Sequence, residues 1–293
     1  PSMGLDYENL RKIKPDIILT TSTAFGSEGP YGKRVGFDGV AQAMSGNMYL
    51  TGHENEPMRN YFPYVDFTTA SLNAMATLAA IIHKMKTGEG QHVQGALLAS
   101  AITIANGTLI EQQQLNNNRT ATGNRGQTSA PVDAFQTKDG WILVQVVGDP
   151  LYARWAALMG EDQWITDPKY ANDEVRGNNS ADISQRMQEW TSQRSTPEAI
   201  ESLEAARIPC GEVLSPQAAL DNEQVAAMNF LTPTDYPGLA KPAAVARMPI
   251  DFSAINTAIR HRAPILGEHT NEILDSLGFT SQDIESFRKE GSI

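Results

Sequence analysis

A chain of 293 residues that is 41% hydrophobic and 7% aromatic is globular in composition and long enough for two domains or one large one. Its 34 acidic against 23 basic side chains leave a formal charge of −11, which argues against nucleic acid or an anionic membrane surface as partner, so an anionic ligand must be held by local groups. The single cysteine, Cys210, excludes an internal disulfide, offers no metal-binding spacing and fits a reducing cytoplasm; within Ile208-Pro-Cys-Gly it reads as a buried structural residue.

The start, Pro1-Ser-Met-Gly-Leu-Asp-Tyr, has neither a basic nor an apolar leader region, and no apolar run is read as reaching the roughly 18 residues of a membrane span, so neither secretion nor membrane insertion is expected. Beginning at Pro1 and not at a methionine, the chain reads as processed, trimmed or a fragment. A helix is predicted over 7–12, stopped by Pro15, and Asp16-Ile-Ile-Leu-Thr-Thr-Ser reads as a buried parallel strand. The glycine-rich loop Phe25-Gly-Ser-Glu-Gly-Pro-Tyr-Gly lies just past that strand's C-terminal end, where open α/β sheets place their ligands, and is a candidate site wall.

The pattern around Val40, Ala41, Met44 and Met48 predicts a helix over 37–50, followed by a polar connection from Gly52 to Pro63. A second helix is predicted from about Asp66 through Leu72, Met75, Leu78, Ala79 and Ile82 to Lys86, where Lys84 and Lys86 suit its C-terminal dipole and Gly88-Glu-Gly breaks it. The segment 92–115 begins strand-like and continues helical. Thr122-Gly-Asn-Arg-Gly-Gln-Thr-Ser is a loop without apolar anchors, and 134–147 reads as a β-hairpin turning at Asp139-Gly140. Helices near 151–159, 183–193 and 197–206 complete a small α+β domain. Pro233, Pro237, Gly238, Lys241 and Pro242 read as a linker, and two short helices, 271–277 and 281–290, close the chain.

The usual chemical signatures are missing. Gly26, Gly29 and Gly32 have the wrong spacing for a dinucleotide fingerprint, and Pro30 removes a backbone donor that a phosphate would need. There is no P-loop, no G-x-S-x-G and no H-E-x-x-H, and His53, His83, His92, His261 and His269 show no ligand spacing, so no metal is expected and each reads as a surface or satisfied-core residue. Asp66 stands at a helix start behind Pro63-Tyr-Val and before Thr68-Thr-Ala-Ser. It can be an ordinary N-cap, contributing about 1 kcal/mol, or a nucleophile on an activated acyl group, and the local residues leave both open.

Six strings in order along the chain carry a resemblance: Gly36-Phe-Asp-Gly-Val-Ala-Gln-Ala-Met-Ser-Gly, Pro63-Tyr-Val-Asp-Phe-Thr-Thr-Ala, Lys86-Thr-Gly-Glu-Gly-Gln, Gly123-Asn-Arg, Asp139-Gly and Ala263-Pro-Ile-Leu-Gly-Glu-His-Thr. Each alone is weak; in register they make the sequence resemble the class III CoA-transferases, the group containing formyl-CoA and carnitine CoA-transferases. The resemblance implies that CoA moves from an acyl-CoA donor to a small carboxylic acid, with Asp66 forming an acyl anhydride and then an aspartyl-CoA thioester. It also implies a mobile glycine-rich lid, Gly123, Asn124, Arg125, Gly126 and Gln127, whose plainer reading is a flexible linker. A glycine loop can bring backbone N–H groups close to a developing oxyanion, and a lid that excludes water separates a transferase from a hydrolase. CoA and acyl-CoA enter as substrates, with no permanently bound cofactor, and an interlocked homodimer is implied.

Lys33 and Arg34 are candidate contacts for CoA phosphates, against the plainer reading of a solvated basic turn. Phe37 and Tyr64, with Tyr61 and Phe62, are candidates for an acyl pocket, although aromatics beside a helix start are more often core. The expected fold is α/β: an incomplete doubly wound, Rossmann-like large domain formed by 1–118 and 242–293, with a small α+β domain and its linkers, 119–241, inserted. The N-terminal βα unit that the resemblance implies, source of most CoA contacts, is not in the sequence. Val93-Gln-Gly-Ala also departs from the Val-Asp-Val-Ser of relatives, which puts an acidic role there in doubt. The rivals are an α-methylacyl-CoA racemase, a thioester hydrolase and an inactive truncated chain. The racemase needs an opposed acid/base pair, and its histidine is replaced by Phe37, which carries no proton.

Overall fold

A computed structural model of the chain describes residues 3–293; Pro1 and Ser2, with which the segment read as lacking a leader begins, lie outside the described residues. By its internal contacts the chain divides into two compact units, Pro1–Glu212 and Val213–Ile293. The fold is mixed α/β.

In the first unit, helix α1 (Tyr7–Ile13) is capped by Asp6, whose carboxylate accepts from Asn9 N at 3.0 Å. Strand β1 (Leu19–Thr23) pairs in parallel with β4 (His92–Ala96), Leu19 opposite His92 and Thr23 opposite Ala96. Between them run α2 (Asp38–Met44), a single 3-10 turn (Met48–Leu50), a short hairpin β2 (Gly52–His53) and β3 (Glu56–Pro57), and α3 (Tyr64–Thr87). Helix α4 (Leu97–Leu115) follows β4 directly. The strand expected to be parallel and buried is parallel, but its burial is corrected: β1 alternates half-buried and exposed residues, so one of its faces is left uncovered where a buried parallel strand is covered on both.

Helix α3 also corrects the expectation that no run reaches membrane-spanning length. By length and composition it passes that test, as the core helix of a soluble protein also does. Only Val65, Thr69 and Ala80 along it are buried, and Phe67, Met75, Leu78, Ile82 and Met85 are exposed.

The main packed core lies between residues 130 and 208. Strands β5 (Val132–Gln136) and β6 (Trp141–Gln145) pair antiparallel with Phe135 opposite Ile142, around the expected Asp139-Gly140 turn, where Gly140 N donates to Thr137 Oγ1 at 3.0 Å. Strand β7 (Cys210–Glu212) adds beside β6. Helices α5 (Asp149–Met159), α7 (Ser180–Thr191) and α8 (Thr196–Ala205) supply Trp155, Ile183, Met187 and Leu203 to the same core, with the short α6 (Asp173–Asn178) between α5 and α7 in the chain, and the Trp155 indole N–H donates to Met187 Sδ at 3.2 Å. Ile142→Val, which deletes one methylene from a fully buried site on the central strand, is expected to cost about 1 kcal/mol by denaturant unfolding. Cys210, expected buried, is half-buried at the start of β7, with burial raising its thiol above the ordinary value.

The second unit contains α9 (Pro216–Leu220), α10 (Glu223–Ala227), an antiparallel pair β8 (Leu231–Thr234) and β9 (Ala243–Ala246), α11 (Thr270–Ser276) and α12 (Ser281–Lys289). The stretch read as a linker is therefore partly a hairpin. Pro233 lies inside β8, opposite Ala244, and a proline without an N–H is tolerated there because a two-stranded ladder leaves each strand an unpaired edge.

Candidate active site

The site is organised by the start of α3. The first turn of a helix leaves N–H groups without intrahelical partners, and a side-chain oxygen at the N-cap normally accepts them. Here the N-cap is Pro63, which has no such oxygen. The acceptor comes instead from α2: Asp38 Oδ2 takes the N–H of Val65 at 2.7 Å and that of Asp66 at 3.0 Å. Its other oxygen accepts from the side-chain amide of Gln42, one turn along α2, and Gln42 Oε1 accepts from Asn60 N at 2.9 Å. Asp38 is 6% and Gln42 1% exposed, so the cap is held in a buried polar chain whose oxygens all have partners. Ala41, Val65 and Ala101, with Tyr64 and Leu97 against them, form the small apolar cluster that fixes α2, α3 and α4 together here.

Asp66 is the third residue of α3, so the structure does not make it the N-cap. Its carboxylate is exposed and accepts no hydrogen bond among the described residues. Partial desolvation raises its pKa above the ordinary aspartate value, and the neighbouring charge of Asp38 pushes the same way. An unbonded carboxylate of raised basicity is chemically suited to attack an activated carbonyl.

The expected lid is tied down at several points. Gly123 N donates to Gly52 O at 2.6 Å, and Gly123 has a left-handed φ of 68° with the His53 ring 3.2 Å from where a Cβ would stand. Gly126 N donates to Val132 O at 2.6 Å, and the Gln127 side chain donates to Thr120 O at 2.7 Å. Arg119, paired with Glu111 at 2.5 Å, donates to Gln127 O at 3.4 Å. Gly177 of α6 packs on the Gln127–Thr128 backbone so closely that a Cβ would lie 2.3 Å from Gln127 O. Asn124 is exposed and Arg125 half-buried, its carbonyl accepting from Thr122 Oγ1 at 2.6 Å.

Of the other candidates, Tyr64 is half-buried in the cluster beside Asp66, and Phe37, 81% exposed, immediately precedes Asp38. Tyr61 and Phe62 are exposed with their rings edge to face at 5.1 Å, so the plainer expectation that they are core does not hold. Lys33 and Arg34 are exposed, and the Arg34 guanidinium stacks on Tyr31 at 4.0 Å. Among the described residues no hydrogen bond or ion pair joins Lys33, Arg34 or the lid to Asp66. At the C-terminal ends of β1 and β4, Thr21, Thr23, Ser27 and Gln94 line a cavity of about 260 Å³. Gln94, the departure from the acidic pattern, accepts there from Ser27 Oγ at 3.0 Å. No group of metal-ligating side chains occurs among the described residues.

Asp38 and Gln42 are the site residues that sequence reasoning missed. Both stand in the quoted Gly36–Gly46 string, and the signal was available: a helix starting after a proline lacks a local acceptor and must find one elsewhere.

The description CoA-transferase family III matches residues 1–270. An acyl-CoA transferase of Fusarium pseudograminearum is 27% identical over 294 residues, covering 99% of this chain and 64% of that protein. The human succinyl-CoA:glutarate CoA-transferase is 30% identical over 278 residues, covering 93% of this chain and 62% of that protein, so the chain spans less than two thirds of either relative. A CAIB/BAIF family protein from Brucella suis superposes with a TM-score of 0.77 at 26% identity, over 94% of this chain and 72% of that one. With a family match across 270 of its 293 residues and a shared fold, the chain belongs to CoA-transferase family III.

Proposed function

We propose that the protein moves CoA from an acyl-CoA to a carboxylic acid through covalent intermediates on Asp66. The observation that carries this is the carboxylate left without a partner at the start of a helix whose free N–H groups are already taken by Asp38. An oxygen of Asp66 attacks the thioester carbonyl, the C–S bond breaks, and CoA leaves as thiolate, with the acyl group left on Asp66 as a mixed anhydride. The thiolate then attacks the aspartyl carbonyl, releasing the donor acid and leaving an aspartyl-CoA thioester. The acceptor carboxylate repeats the sequence in reverse, so each hard transfer is divided into easier steps and Asp66 is regenerated. The segment Gly123–Gln127 serves as a lid that keeps water from the anhydride, and Phe37 and Tyr64 contribute to the acyl pocket. Lys33 and Arg34 meet the CoA phosphates, supported by their exposure and charge.

Several family relatives are named for succinyl-CoA as donor and glutarate, mesaconate or citramalate as acceptor, which makes succinyl-CoA the first donor to test. The doubly wound arrangement, with an inserted small domain, is part of the proposal, supported by the parallel β1–β4 pair with helices between its strands. A homodimer is supported by the exposed apolar side chains of α3, and a cytoplasmic setting by the single cysteine.

The test is mass spectrometry of the purified protein after incubation with succinyl-CoA and other short acyl-CoAs, followed by hydroxylamine trapping and peptide mapping. A hydroxamate on Asp66 is the expected result. No adduct, with exchange of the substrate's α-proton into solvent instead, would overturn the transferase reading in favour of a racemase.

A further inference from the structure

The third residue of a helix is the position from which an acidic side chain normally reaches back to the backbone N–H of the N-cap residue, closing a capping box. Asp66 occupies that position, and Pro63, the N-cap, has no N–H to offer. The second task open to a carboxylate at a helix start is to accept the free N–H groups of the first turn. That task is already done, since Asp38 Oδ2 accepts from both Val65 N and Asp66 N, and Gln42 holds Asp38 in place. At two other helix starts the same position behaves in the ordinary way. Glu198 and Asp283, third residues of α8 and α12, each bond back to the N–H of a Ser195 or Thr280 N-cap, and each is held below the usual carboxylate range, Glu198 first by the Ser195 N–H and Asp283 first by the Thr280 hydroxyl and then by its N–H. Asp182 and Glu272, third residues of α7 and α11, also make no bond back; the Asn179 cap of α7 spends its N–H on the Val175 and Arg176 carbonyls, and Asp182 accepts from Lys169. What sets Asp66 apart is a proline cap with no N–H at all, together with first-turn N–H groups already taken by a carboxylate from another helix.

We propose that Asp38 and Pro63 are positioning residues that keep the Asp66 carboxylate free of its own helix, Asp38 by capping α3 from α2 and Pro63 by removing the N–H that would otherwise bind Asp66. This rests on the reading of Asp66 as the nucleophile. Its chemical consequence is that the oxygen lone pairs of Asp66 are not committed to N–H groups when the thioester arrives. A serine at 63 would complete a Ser-x-x-Asp capping box, stabilising the helix while occupying the carboxylate.

The test compares Pro63→Ser, Asp38→Asn, Asp38→Ala and the double variant Asp38→Ala/Pro63→Ser by three readouts. These are the rate of Asp66 adduct formation with succinyl-CoA, the thermal midpoint, and the Asp66 carboxyl titration followed by carbon-13 NMR on aspartate-labelled protein. Pro63→Ser is expected to lower the adduct rate about tenfold while the midpoint holds or rises, and to move the Asp66 titration to lower pH. Asp38→Asn keeps one acceptor oxygen for the Val65 and Asp66 N–H groups but sets an amide N–H2 against the Gln42 side-chain amide and removes the charge, so its rate and midpoint are expected to fall between those of the parent and of Asp38→Ala. Asp38→Ala loses both rate and midpoint, and adding Pro63→Ser to it recovers the midpoint but not the rate. A double variant that regains both, or a Pro63→Ser protein that acylates and titrates as the parent does, overturns the proposal. If the parent forms no adduct at all, the assignment of Asp66 as nucleophile fails, while the NMR titrations still decide whether Pro63 and Asp38 keep the carboxylate free.

Discussion

Asp66→Asn is expected to abolish the covalent adduct, to reduce CoA transfer by at least about a thousandfold, and at the same time to raise the thermal midpoint at neutral pH. The first two effects follow from chemistry: an amide has the shape of the carboxylate but forms no anhydride. The third follows from linkage. The folded-state pKa of Asp66 is raised above the ordinary aspartate value of 3.8 by desolvation and then by Asp38. A carboxyl group that binds its proton more tightly when folded contributes stability at pH values below its unfolded pKa, and that contribution is lost as pH rises through the folded value. Ionised Asp66 is thus a cost that the native state carries at neutral pH, and the uncharged asparagine relieves it. Well below pH 4, where both states are protonated, the difference between variant and parent should vanish. Thermal unfolding of both proteins across the acid range checks the sign. A variant that loses activity and is also less stable at neutral pH would mean that Asp66 is a structural carboxylate. In the parent, adduct formation should fall with acid at a higher pH than an ordinary aspartate would give, since only the ionised form attacks.

The regular elements around this site were legible because their patterns are local. Leu72, Met75, Leu78, Ala79 and Ile82 recur at helical spacing, and α3 runs over Tyr64–Thr87 as that spacing predicts. The Asp139-Gly140 turn between β-prone runs became the β5–β6 hairpin for the same reason. What the sequence does not display is partnership between distant residues. The cap on α3 comes from Asp38, 28 positions before Asp66, and no window along the chain contains both. The small α6 and the hairpin β8–β9 were missed because six- and four-residue elements carry too few residues for a period, and because Pro233 was read as a breaker where an unpaired strand edge accommodates it. Aromatic residues misled in the opposite direction: Tyr61 and Phe62 have the composition of core and stand exposed just before the start of α3.

The second large effect is expected from Gly177, which no motif singled out. A Cβ at this position would lie 2.3 Å from Gln127 O, 2.7 Å from Gln127 C and 2.9 Å from Thr128 N. All three are backbone atoms, so no side chain can swing away, and the base of the Gly123–Gln127 loop must move by about 1 Å or the α6 helix must shift to admit a methyl group. Gly177→Ala is therefore expected to cost about 1–3 kcal/mol in stability. If the loop is the lid proposed above, a displacement of that size also costs up to about a hundredfold in transfer, because acceptor and anhydride are no longer held in reacting geometry. The more specific sign is partition. A lid that seals poorly admits water to the anhydride, so the ratio of hydrolysed thioester to transferred CoA should rise even where total turnover falls. Gly107→Ala provides the control, since its Cβ in α4 meets nothing within 4 Å and the substitution replaces glycine in a helix by a better helix former. It should leave the partition unchanged and hold or raise the thermal midpoint. Quantifying free CoA against the acceptor's CoA thioester in the three proteins separates the possibilities. Lost stability with an unchanged partition would show that Gly177 supports a structural loop and that water is excluded by some other part of the chain.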